Sequence, residues 1–210
     1  MKTSFILGNK ENRSLKNYTL TGGNREAARA VGRCFGALFF SIFGGLWLLL
    51  SAYAFGRLDR LRIGLIAGAV LLFVATAVRL QRRGKEAGTG AFPEEQQKRD
   101  DRLFGIVNAV QGLAIFLDLS LLPKTRYGQF SFSIAALIVG LHFFALPPRY
   151  RHRANLITGA LLTIWAIACA LLFRGDAMIA WTALGAGVIL WGSSAWALMT
   201  ASRLLRRAGL

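Results

Sequence analysis

The sequence predicts an all-α polytopic membrane protein, a bundle of six transmembrane helices with both termini cytoplasmic, and three observations predict it. Six apolar stretches divide the chain, at residues 34–55, 63–78, 103–122, 130–146, 154–173 and 177–202. Lys and Arg gather in alternate gaps: 20 lie in the N-terminal segment, the second and fourth loops and the tail, against 6 in the remaining loops. The stretches also lack the polar alternation of barrel strands. Backbone amides in lipid need partners within their own segment, so each stretch must be a helix.

Composition agrees with the bilayer. At 54% hydrophobic and 17% charged, with mean hydropathy +0.45 over 210 residues, the chain is too apolar for a soluble domain of its size. Stretches of about 16 to 26 residues cover a hydrocarbon core of roughly 30 Å, the second needing help from its flanks. The positive-inside rule converts the charge split into cytoplasmic termini, and an even number of crossings agrees.

Residues 1–24 hold no sustained apolar period and read as a mobile cytoplasmic arm; residues 25–210 form a single six-helix domain. The only apolar run in the arm is Phe5, Ile6 and Leu7, too short for a cleavable signal peptide. A helix is expected from Asn24, with Glu26 in its first turn, running through Arg29 and Arg33 into the first span. Gly84 to Gly90 reads as a hinge after the second span. Pro93, Glu94 and Glu95 open a third helix of about 30 residues, roughly 45 Å, that ends before Pro123. Its first turns alternate acidic and basic residues, a pattern of a solvated face. Pro147 and Pro148 stop the fourth helix, and Arg174, Gly175 and Asp176 turn the fifth into the sixth as an antiparallel hairpin.

Helices in lipid associate through small residues. Gly32 with Gly36 and Gly64 with Gly68 form two Gly-x-x-x-Gly pairs, and Ala136 with Gly140 and Ala183 with Gly187 form two more of small residues. They serve either packing within the bundle or a homodimer face. Leu46-Trp47 with Ser51-Ala52 faintly echoes Leu190-Trp191 with Ser194-Ala195, as an inverted repeat would. Trp181 and Trp196 fit interfacial belts, whereas Trp47, Trp165 and Trp191 lie deeper as packing residues. Cys34 and Cys169 sit in spans near opposite faces, too far apart to pair.

A net charge of +16 raises the question of nucleic acid, yet the bases are spread over short loops at helix ends and no recognition module accompanies them. Anionic lipid headgroups are the expected partner. No metal site or cofactor is expected: the chain has two histidines, and His152 lies in a basic loop. No catalytic residue is assigned either, since Asp118 and His142 fall near opposite faces, roughly 15 Å apart.

Polar side chains inside a membrane are costly, so they mark candidate sites. Asn108, Gln111 and Asp118 fall at about 0°, 300° and 280° around the third helix and share one face. His142, near the inner end of the fourth helix, lies at the depth of Asn108, as do Thr158 on the fifth helix and Ser193 or Ser194 on the sixth. The expectation is a cytoplasm-facing polar pocket lined by His142, Asn108, Gln111, Thr158 and Ser194. Its alternative is a hydrogen-bond cluster that only holds helices in register. Asp118 lies about one turn from the outer end, where it would snorkel or pair with Lys124 or Arg126.

The stretch from Val139 to Leu146, with Gly140-Leu141-His142-Phe143 at its centre, and the stretch from Ser41 to Trp47 resemble motifs of small uncharacterised bacterial six-span membrane proteins. The resemblance implies the six-span fold and a bacterial inner membrane, and draws attention to His142; it implies no reaction. The functional expectation is a carrier or sensor for a small polar or lipidic ligand. The competing expectation is a non-catalytic subunit or stabiliser that binds other membrane proteins through small-residue faces.

Overall fold

The computed structural model describes residues 22–86, 94–146 and 153–210. Among these there are six long helices and no strand: α1 (Gly22–Ala54), α2 (Arg60–Glu86), α3 (Glu94–Leu121), α4 (Ser131–Ala145), α5 (Arg153–Leu172) and α6 (Gly175–Arg207), with short 3-10 turns at Leu122–Lys124 and Gly128–Phe130. All six are long and apolar enough to cross a membrane, with the fourth counted from Gly128. Most of the arm, residues 87–90 of the expected hinge and the Pro147-Pro148 pair lie outside the described residues.

Four of the helices, α1, α2, α3 and α6, outrun their apolar stretches. α2 covers 27 residues where hydropathy marked 16, because its last turns carry Arg79, Arg82, Arg83 and Lys85, which are good helix formers that no apolar window detects. Gly84, expected to open a hinge, is instead a buried helical residue. A Cβ there would stand 2.7 Å from Val31 and 3.5 Å from Leu205, so α1, α2 and α6 converge on it. α3 begins at Glu94 as expected. Gly175 starts α6 with φ of +56°, the left-handed value that lets the chain reverse within two residues of the end of α5.

The centre of the bundle is the antiparallel pair α1 and α6. Residues of α1 at alternating spacings of three and four, namely Ala27, Ala30, Cys34, Ala37, Ser41 and Gly44, and Ser51 seven further on, are all buried. This is the seam of a left-handed helix pair, drawn here with small residues so that the backbones can approach. Three contacts fix the register: Ser51 Oγ donates to Ala180 O (3.0 Å), Gly44 lies against Gly187, and Ser194 Oγ donates to Ala37 O (3.0 Å). Each step of seven back along α1 is a step of seven forward along α6. Trp191 adds an indole N–H to Ser41 O at 3.0 Å.

The other helices flank this pair. α2 leans on α1 and α6, with Val70 filling the space beside Gly45. On the opposite flank α4 and α5 meet backbone to backbone: a Cβ on Gly159 would stand 2.7 Å from Gly140 O. Ser133 and Thr182 share a hydrogen bond of 3.0 Å between α4 and α6. α3 is outermost and packs chiefly on α4. Burial within the spans follows this order: 44% of the apolar window of α6, 6% of that of α2 and none of that of α3. The uncovered surface therefore belongs mainly to α2 and α3.

Of the four small-residue pairs in the sequence, two sit at helix contacts, Ala136 with Gly140 and Ala183 with Gly187. Gly32, Gly36, Gly64 and Gly68 have open space where a Cβ would be, so these glycines join no helices among the described residues.

Candidate functional site

The hydrogen bonds of the polar residues expected to share a pocket do not converge on one place. Thr158 lies about one turn beyond Ala154 and turns its hydroxyl to α6, where it meets Ser193 Oγ at 2.7 Å. Both hydroxyls also bond back one turn, Thr158 to Ala154 O (2.9 Å) and Ser193 to Ile189 O (2.8 Å). Ser194 is one residue further on, about 100° around the helix, and therefore faces α1 instead. Its hydroxyl is fully buried on Ala37 O. The α5–α6 bridge is thus made by Ser193, and Ser194 belongs to the central pair.

Asn108 donates its amide to Phe104 O, one turn back on α3, at 2.7 Å. Gln111 is half-buried on the same helix. His142 is also half-buried; its ring stands edge-on to Phe143 with centroids 5.7 Å apart, and its Nδ1 is buried without a hydrogen-bond partner. Between these groups lies an apolar cluster. Phe143, Leu146, Leu162, Ala186 and Leu190 form it, and Phe40, Trp47, Phe104 and Val107 pack against it. The Phe40 and Phe143 rings, 5.6 Å between centroids, join α1 to α4 across the depth at which the pocket was expected.

Asp118 shares the α3 face with Asn108 and Gln111, and both its carboxylate oxygens are buried without a hydrogen-bond partner. The expected pairing with Arg126 does not form: that guanidinium sits over the Tyr127 ring, 4.7 Å from its centroid. Among the described residues no group of three or more His, Cys, Asp or Glu could hold a metal ion.

No protein-family model, curated protein or solved structure matches the chain. The site must therefore be read from its chemistry alone.

Sequence reasoning missed two features. One is the polar register of the central pair, Ser51 to Ala180 and Ser194 to Ala37; its signal was the three-four spacing of small residues along α1. The other is a groove of about 430 Å³ between α2 and α6, whose floor is Leu80, Leu198 and Met199 and whose rim is Ser202, Arg203 and Arg206. Its signal was weaker, a short basic tail that looked like any membrane anchor.

Proposed function

We propose that this protein is a non-catalytic, membrane-embedded subunit that binds another membrane protein through the uncovered face of α2. Gly64 and Gly68 support this reading most directly: they lie bare on the helix of which only 6% of the apolar window is buried. Leu61, Leu65 and Leu72, exposed by 64 to 72%, border them on the same face. Two glycines four apart make a flat ridge on which a second helix can bring its backbone close, and in lipid such contact is a main source of association. The carrier reading, in contrast, needs a water-filled route to His142, and Phe40, Phe104, Val107 and Phe143 fill that level of the bundle.

The proposal places the chain in a bacterial inner membrane with both termini in the cytoplasm, on the strength of the 20-to-6 division of basic residues. A photo-crosslinking residue at Leu65 or Leu72, in intact membranes, should yield one discrete heavier product, and the same residue at Leu161 or Ile164 of α5 should not. Gly64→Leu with Gly68→Leu should remove the product. Equal diffuse labelling from both helices would mean that lipid alone covers α2, and the proposal would fall. A product of twice the chain's mass would replace the foreign partner by a second copy.

A further inference from the structure

The groove between α2 and α6 points to a second, chemically different ligand. α2 and α6 run in the same direction, each ending at the basic end of the bundle where α1 begins. Met199, Ser202, Arg203 and Arg206 recur at three and four residues, so they form one stripe of α6, and that stripe is one wall. Leu80 of α2 supplies part of the opposite wall. Thr76, one turn before Leu80 on α2, lines the same side of the groove.

The lining is graded. Away from the rim it is mainly apolar, with Leu198 nearly buried at 7% exposure and Leu80 beside it, and the Thr76 hydroxyl there is turned back onto Leu72 O at 2.8 Å. At the rim are two guanidiniums and a hydroxyl, and the lining contains no carboxylate. Arg206 Nη2 donates to Ser202 Oγ at 3.3 Å, which holds that guanidinium over the mouth. From Leu198 to Arg206 is roughly 12 Å of helix rise, about the depth from a lipid phosphate to the upper methylenes of its acyl chains.

We propose that this groove is a binding site for one anionic phospholipid of the leaflet at the basic end. The phosphate takes the Arg203 and Arg206 forks, and an acyl chain lies over Leu80, Leu198 and Met199. Guanidiniums suit the phosphate because their planar donors match its oxygens in pairs. A zwitterionic lipid carries its own cation and gains less there. The site is independent of the proposed α2 partner, because it needs only α2 and α6 of the same chain.

The test is native mass spectrometry of the purified full chain in mild detergent, titrated with dioleoyl phosphatidylglycerol or dioleoyl phosphatidylcholine. One phosphatidylglycerol should be retained about thirtyfold more tightly than phosphatidylcholine, as two basic side chains at an anionic headgroup imply. Arg203→Ala with Arg206→Ala should bring the two lipids to parity. Arg57→Ala with Arg60→Ala, which removes equal charge at the other end, should keep the preference. Met199→Trp, which plugs the groove and leaves both arginines, should also weaken retention. Parity in the wild type overturns the site, and so does a preference that survives loss of Arg203 and Arg206 or falls equally in the control. A preference that Met199→Trp leaves intact, or that millimolar inorganic phosphate abolishes, reduces the groove to a bare anion contact and overturns it as a lipid site.

Discussion

Gly44 and Gly187 face each other so closely that a Cβ on Gly187 would stand 3.0 Å from Gly44 O, and one on Gly44 would stand 3.2 Å from Gly187 O. Seven residues to either side the relationship repeats in hydrogen bonds: Ser51 of α1 donates to α6, and Ser194 of α6 donates to α1, each at 3.0 Å. The contact is therefore locally two-fold. Backbones that meet at the centre allow short hydroxyls to reach carbonyls across the pair, which a bulkier seam would keep apart. The four flanking helices are built on this clamp.

Gly187→Val should cost about 1–3 kcal/mol, the usual cost of forcing extra methyls into a filled contact. The new side chain meets Leu48 as well as the Gly44 carbonyl, and a carbonyl on a helix cannot step aside. Thermal unfolding of the purified chain in detergent measures the loss. Gly64→Ala, on the open face, should melt at or slightly above the wild-type temperature, because alanine is the better helix former. Equal melting of Gly187→Val and the wild type would contradict the clamp.

Ser51→Ala and Ser194→Ala should each cost about 0.6 kcal/mol, the average worth of a hydrogen bond between membrane helices. The two bonds lie at opposite ends of the clamp and share no partner, so the double variant should show the sum. Thr200→Ala is the comparison: its hydroxyl bonds back to Trp196 O within α6 and joins no two helices, so melting should not move. Losses at Thr200 as large as those at the serines would mean that the interhelical bonds are not special.

The number of crossings was legible because burial in lipid is a property of whole windows, and six windows stand out. The end of α2 was not, since Arg79 to Lys85 are polar yet helical, and hydropathy reports the solvent a residue prefers rather than its backbone. The close contacts divided in a similar way. Gly-x-x-x-Gly marks a flat ridge, but whether a helix lies on it depends on distant residues, and Gly64 with Gly68 lies bare while Gly44 with Gly187 is packed. Adjacent Ser193 and Ser194 differ by about 100° of helix turn, so a one-residue choice decides between α5 and α1. Nothing local to the sequence makes that choice.

His142→Leu should leave stability unchanged or raise it. The buried Nδ1 has no partner to lose, and leucine keeps most of the contact with Phe143. The melting temperature of the purified variant measures this. A fall equivalent to more than about 1 kcal/mol would reveal an interaction that the bundle does not contain, and would revive a ligand at this depth.

Topology can be read with a membrane-impermeant maleimide, because Cys34 and Cys169 are free but buried and give little background. Arg57→Cys and Lys124→Cys should label from the outside of intact cells, whereas Lys85→Cys and Arg207→Cys should label only after the membrane is opened. The expectation follows from the division of basic residues. Labelling in the reverse order would invert the protein and move the lipid groove to the outer leaflet.

Asp118 tests whether the bundle is complete by itself. Its carboxylate oxygens are buried against no donor, on the helix that the rest of the chain covers least. A charge at a helix centre is unfavourable by about 2.5 kcal/mol or more on insertion scales and by less near an end, where Asp118 lies, so Asp118→Leu should raise the melting temperature of the purified chain modestly. The same substitution discriminates the two places where a partner could sit. If α2 alone carries the contact, crosslinks from Leu65 should persist in Asp118→Leu. Their loss, together with a gain in stability of the isolated chain, would mean that the partner brings a cation to α3, and the interface would have to extend there.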